Sequence, residues 1–210
     1  VKPVKTVFYT AALLPYAAVA AGLYLFHSAW VAMLAYHIGI VLALVLARHN
    51  PLEAKSRFTL TNGLFPLTLA ACLLAGPVVA WLWPWLSAAD LAARLSAWGL
   101  TARAWPWFVA YFCLANPFLE EAYWRSWLDQ ADRPGLEPAA WFAGYHLIVL
   151  APILRAGWLV TAFLIMTLTG WVWSRLSRRD GFRPVALCHL AADASIMLAA
   201  GFCLLQGWGG

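Results

Sequence analysis

The stretch AWVAMLAYHIGIVLALVLA, Ala29 to Ala47, decides the fold class. It comes close to the ~20 residues that a helix needs to cross the hydrocarbon of a bilayer, and it contains no Lys, Arg, Asp or Glu. Similar apolar runs recur on both sides, giving predicted spans near 7–26, 29–47, 64–86, 105–124, 138–154, 158–174 and 184–205. The whole chain has 210 residues, is 64% hydrophobic and 11% charged, and has a mean hydropathy of +0.73. A soluble domain of this length could not hide so much apolar surface. The expected fold is all-α, a polytopic transmembrane helical bundle of about seven spans. No internal repeat or low-complexity linker divides it, so residues 1–210 are expected to form a single integral membrane domain. The first apolar run is long, lacks a small-residue cleavage site and is followed at once by another span, which does not fit a secretory signal.

The net charge of +5 is distributed as a topology signal. With the N-terminus placed in the cytoplasm, Lys2, Lys5, Arg48, Lys55, Arg57, Arg125, Arg133, Arg175, Arg178, Arg179 and Arg183 fall inside, and only Arg94, Arg103 and Arg155 fall outside. That asymmetry predicts an N-in, C-out orientation and removes the argument for a nucleic-acid partner. Cys72, Cys113, Cys188 and Cys203 lie in apolar runs without CxxC spacing and read as packing residues.

Tryptophans cluster near span ends, at Trp81, Trp83 and Trp85, Trp105 and Trp107, Trp124 and Trp127, and Trp171 and Trp173. Such placement suits interfacial aromatic belts. Gly76-Pro77 is expected to bend or loosen the third span, and Pro152 the fifth. Residues 87–104 read as a short helix on the outer interface, and residues 48–63, ending in Thr61-Asn62-Gly63, as a polar cap on the cytoplasmic side.

Against this background a few polar residues stand out, because lipid makes such groups expensive unless they line a cavity or serve chemistry. The fourth span carries NPFLEEAYWR, Asn116 to Arg125; the fifth WFAGYH, Trp141 to His146; the seventh CHLAAD, Cys188 to Asp193. Pro117 removes a helix hydrogen bond beside the first cluster. Glu121 and Arg125 are four apart and predict an ion pair. Glu120 points about 100° away from Glu121 and has no local partner, leaving it available as a base. Phe142 shares the face of His146, Gly144 admits another helix, and His189 and Asp193 face one direction. His27 and His37 read as structural or interfacial. All three clusters fall in the cytoplasmic half of the predicted membrane, which predicts that they converge.

Two chemistries suit Glu, two His and Asp in a partly dry cavity. In one, Glu120 assisted by His146 activates a water against a peptide carbonyl, and His189 and Asp193 donate to the oxyanion. Asp donates only when protonated. In the other, Glu120, His146, His189 and Asp193 hold Zn²⁺ with a bound water. The first needs no cofactor.

The three motifs, in this order, resemble the CPBP family: type II (Rce1-like) CAAX prenyl proteases and their bacterial relatives, also called Abi proteins. The family pattern EExxxR, FxxxH and HxxxN or HxxxD is met by Glu120-Glu121 with Arg125, by Phe142 with His146, and by His189 with Asp193. The resemblance covers roughly 105–200. It implies an intramembrane endopeptidase in which Glu120 and His146 activate water and His189 and Asp193 stabilise the oxyanion. Asn116, Glu121, Arg125 and Phe142 would support them. Prenyl-protein members often carry Asn where Asp193 stands, and the family has been described both as metal-dependent and as glutamate-type. The implied partners are membrane lipid and a membrane-anchored protein or peptide. A bacterial inner membrane and a C-terminal sorting or CaaX-like tail are the expected setting and substrate. The alternatives are a non-catalytic immunity or scaffold protein with a structural polar cluster, and a proton-coupled transporter.

Overall fold

A computed structural model describes residues 5–51, 63–88, 90–129 and 136–208, and among them it is all-helical. The elements are α1 (Lys5–Ala20), continued by a π-turn Ala21–Leu25, α2 (Ala29–Leu46), α3 (Leu64–Leu86), α4 (Leu91–Ala97), α5 (Trp105–Glu120), continued by a π-helix Glu121–Leu128, α6 (Leu136–Leu150), α7 (Ala156–Asp180) and α8 (Phe182–Trp208). The deepest packing is α3 on α8, followed by α6 on α7, α5 on α8 and α1 on α2. The only β-type pairing among the described residues is an isolated bridge between Ser87 and Leu154.

Among the described residues, five stretches are long and apolar enough to cross a membrane: Val7–Leu25, Ala29–Leu46, Leu64–Leu86, Ala156–Asp180 and Phe182–Leu204. The fourth and fifth predicted spans are the shorter helices α5, of 16 residues, and α6, of 15. These two carry two of the three polar clusters, and the first of them changes from α to π geometry within its motif. The short helix predicted within 87–104 is α4, capped by Asp90, whose carboxylate accepts from the N–H groups of Ala92 and Ala93. Most of the predicted polar cap (residues 52–62) lies outside the described residues, as do Lys2, Lys55, Arg57 and Arg133 of the charge count.

The prolines do not break the helices that contain them. Pro77 removes the N–H that would bond the carbonyl of Leu73, yet α3 is continuous from Leu64 to Leu86. The Ser195 hydroxyl of α8 donates to Leu73 O at 2.8 Å and accepts from Gly76 N at 2.8 Å. A Cβ at Gly76 would collide with the Ser195 backbone, so the glycine is what lets α8 come this close. The same device recurs twice. Pro15 frees Ala11 O, which accepts from the Tyr123 hydroxyl at 2.7 Å. Pro152 lies beyond the end of α6 rather than bending it, and frees Ile148 O for the Tyr24 hydroxyl at 2.7 Å. In an apolar medium a stranded carbonyl is costly, and neighbouring hydroxyls restore its bond.

Ser195→Ala is therefore expected to destabilise the protein by about 1–3 kcal/mol, the cost of an acceptor left unsatisfied in an apolar medium. In a Pro77→Ala background, where an N–H returns to bond Leu73 O, the same substitution should cost markedly less. Unfolding in detergent reads the coupling, and equal losses in both backgrounds would refute it.

Three tryptophans assigned to interfacial belts do otherwise. Trp81, Trp85 and Trp107 are exposed on the outer surface as expected, whereas Trp124, Trp127 and Trp173 are buried. Their rings pack inward around the polar motifs, because helix ends here abut other helices as well as the interface.

Candidate active site

The π-helix Glu121–Leu128 begins immediately after Glu120. A π register places side chains five apart, rather than four, above one another, and such segments frequently occur at functional sites. Here it turns both glutamates inward, and Glu120 and Glu121 are completely buried. The adjacency that predicts divergent directions on an α-helix does not separate them. Both reach the His189 ring of α8, Glu121 Oε1 at 2.9 Å from Nδ1 and Glu120 Oε2 at 3.5 Å from Nε2. Asp193 Oδ1 is also 3.5 Å from Nε2. With carboxylate oxygens facing both ring nitrogens, an imidazole carrying N–H on each suits the position. Trp173 lies against its face, with ring centroids 4.6 Å apart.

The expected Glu121–Arg125 pair is present, with Nε 3.4 Å from Oε2 and both side chains buried. The guanidinium also lies over the Phe142 ring, 4.0 Å from its centroid. Phe142 thus joins two motifs, because its ring also packs on that of His146 at 4.7 Å, and its carbonyl accepts from His146 Nδ1 at 2.8 Å. That bond leaves His146 Nε2 facing inward, 3.1 Å from the hydroxyl of Tyr145.

Tyr145 is the residue that sequence reasoning missed. Its hydroxyl donates to Glu120 Oε1 and adjoins His146, so it stands between the two members of the expected water-activating pair. Tyr36 of α2 also hydrogen-bonds Glu120, and the indole N–H of Trp124 donates to the Tyr36 hydroxyl at 3.0 Å. Glu120 therefore has partners after all, and the Tyr145 hydroxyl occupies Oε1. Its Oε2 is buried without a hydrogen bond and faces His189.

Asn116, one turn before Glu120, donates from Nδ2 to Asp193 Oδ2 at 3.2 Å. Its Oδ1 accepts from His37 Nε2 at 3.1 Å, and His37 Nδ1 is 2.8 Å from the Tyr111 hydroxyl. His37 is thus structural, as read, but its place is in this network rather than at an interface. A Tyr-His pair in the middle of an otherwise apolar span was the available signal. Gly144 does admit another helix: a Cβ there would strike the Tyr16 hydroxyl of α1, which donates to Trp141 O at 2.9 Å.

The three motifs accordingly meet in one cluster, with Glu120 and Glu121 at its closed end and the partly exposed His146 and Asp193 at its open edge. Just past the π-helix, Asp129 anchors it to α7 through a bidentate pair with Arg178 at 2.9 and 3.0 Å. Burial pushes the Asp129 carboxyl above its ordinary range, opposed by the Ser174 hydroxyl and by Arg178. Of the residues expected to hold Zn²⁺, Glu120 Oε1 and His146 Nδ1 are turned toward protein partners, and no group of three or more His, Cys, Asp or Glu among the described residues is arranged to hold a metal.

A family model described as type II CAAX prenyl endopeptidase Rce1-like matches residues 102–195, a little under half of the chain, from just before α5 into α8. All three motifs lie within it, and the match is consistent with the CPBP family of intramembrane proteases. No curated protein and no solved structure matches the chain.

Proposed function

From the premise that residues 102–195 are Rce1-like, we propose that this protein hydrolyses a peptide bond in a membrane-anchored protein or peptide, using a water activated by Glu120. The observation that carries the reading is the asymmetry of the Glu120 carboxylate. Oε1 is occupied by the Tyr145 hydroxyl, while the buried Oε2 has no hydrogen bond and faces His189 Nε2. A base needs one oxygen held and one free, and this carboxylate offers that division.

In the proposed reaction Glu120 Oε2 takes a proton as the water oxygen bonds to the carbonyl carbon. The carbonyl π electrons move to oxygen, and His189 Nε2–H donates to that oxyanion. A protonated Asp193 Oδ1 supplies a second donor. Collapse of the tetrahedral intermediate breaks the C–N bond, and the proton taken by Glu120 passes to the leaving amine. His146, with a hydrogen on each ring nitrogen, donates from Nε2 to the Tyr145 hydroxyl, which in turn orients Glu120. Substrate approaches from the His146–Asp193 edge, since the opposite end is closed by Trp124 and Trp173.

The substrate class we favour is a C-terminal tail held at the membrane, a sorting signal or a CaaX-like sequence, in a bacterial inner membrane with the site in its cytoplasmic half. Comparative proteomics of membrane-anchored C-termini, in cells with the protein, without it and with Glu120→Gln, is expected to show uncleaved tails accumulating in the latter two. Identical C-termini in all three would refute the assignment. Proteoliposomes loaded with a farnesylated CaaX peptide or an unprenylated lipid-anchored peptide separate the two tail chemistries. Cleavage in the presence of chelator supports glutamate chemistry. Chelator-sensitive cleavage restored by Zn²⁺ supports the metal alternative, which requires these side chains to turn from their present partners.

A further inference from the structure

Tyr36 and His37 are consecutive residues of α2, outside the segment 102–195 that matches the family, yet each reaches one of the two carboxylates that flank His189 Nε2. Tyr36 meets Glu120 directly. His37 reaches Asp193 through Asn116, and both His37 and Asn116 are buried.

The hydrogens along this second path can be assigned from one end. Where an amide nitrogen adjoins a carboxyl oxygen, the nitrogen donates, so Asn116 Nδ2–H points at Asp193 Oδ2. The amide orientation is then settled, and Asn116 Oδ1 must accept from His37. His37 Nε2 consequently carries a hydrogen, and a neutral ring presents its Nδ1 lone pair to the Tyr111 hydroxyl. Moving the His37 hydrogen to Nδ1 would set two lone pairs against each other at Asn116 Oδ1. Flipping the amide to relieve that contact would set oxygen against oxygen at Asp193. While Asp193 is ionised, either reversal leaves a buried polar group unpaired, so the chain then has one favourable sense.

That sense has a consequence for Asp193. In that sense Oδ2 accepts from Asn116, so a proton that adds to this carboxyl without reversing the chain takes Oδ1, the oxygen that faces His189 Nε2 at 3.5 Å. We infer that His37, acting through Asn116, is a positioning residue that keeps Asp193 Oδ1 turned to the reacting carbonyl oxygen. The inference rests on the hydrolytic reading above and adds to it a requirement for the N-terminal helices. They would complete the site, not merely surround it.

The test uses the full chain in proteoliposomes with whichever of the two anchored peptides is cleaved. His37→Leu removes the donor, whereas His37→Gln offers an amide N–H to Asn116 Oδ1. Loss of alignment in His37→Leu is expected to lower kcat by roughly 10- to 100-fold, with KM little changed. His37→Gln should recover most of that loss, with the same thermal midpoint as His37→Leu. In the wild-type protein, ¹⁵N shifts of labelled histidine should show one ring with hydrogen on Nε2 that changes in Asn116→Leu. Glu120→Gln is the reference. If it is inactive while His37→Leu keeps full kcat, the positioning role is overturned and the hydrolytic reading stands. Equal loss of kcat in the Leu and Gln variants also overturns it, since that pattern reports packing alone. If Glu120→Gln cleaves normally, the hydrolytic reading falls and takes this role with it.

Discussion

Glu120→Gln is expected to abolish detectable cleavage, with kcat falling by roughly 10²- to 10⁴-fold, the range that a positioned general base contributes. The substitution is close to isosteric. The glutamine carbonyl can occupy the position of Oε1 and still accept from the Tyr145 hydroxyl. Its amide nitrogen then occupies the position of Oε2, where it cannot take a proton from water. Because the hydroxyl contacts and the buried volume are retained, KM and the unfolding midpoint should change little. A loss confined to kcat is the signature of an interaction used in the transition state. Full activity in Glu120→Gln would end the glutamate-base assignment. Loss of activity together with loss of fold would favour the scaffold reading, in which the cluster only holds helices together.

Arg125→Leu should have the largest effect on stability. Arg125 and Glu121 are both buried, 3.4 Å apart, and among the described residues the His189 ring is the other basic partner of Glu121. Removing the guanidinium leaves Glu121 Oε2 facing no cation in an apolar interior, at a cost of about 3–5 kcal/mol. It also removes the cation lying over Phe142, on the helix that carries His146. The double variant Glu121→Gln, Arg125→Leu should recover a large part of the loss, because the amide oxygen can still accept from His189 without bringing a charge. Chemical unfolding of the single and double variants in detergent measures this directly. Additive losses in the double variant would show that the two side chains do not act as a pair.

The motif residues were legible because each depends on a local rule. The i,i+4 spacing of Glu121 and Arg125, of Phe142 and His146, and of His189 and Asp193 puts each pair on one helical face, and each pair is in contact or faces its partner in the fold. The direction of Glu120 was misjudged for an equally local reason. A 100° step per residue holds for an α-helix, and the chain passes into a π register at Glu121. Tyr145 was passed over because it neighbours His146, and on a regular helix neighbours diverge. The contact survives because a tyrosine is long enough to reach back to a shared partner, Glu120.

By itself the amino-acid order determined a helical membrane chain and three polar motifs, since bilayer thickness and helix periodicity act on contiguous residues. It also marked Pro15, Pro77 and Pro152 as positions where a carbonyl loses its donor. Only the tertiary structure decided which group supplies the replacement: Tyr123, Ser195 and Tyr24, each more than a hundred residues from its acceptor. The same is true of Tyr36 and His37, which reach the carboxylate cluster across packed helices. The physical reason is common to all of them. In a medium without water every buried polar group must find a partner, and which partner it finds is set by how helices pack, a property that no local stretch of sequence contains.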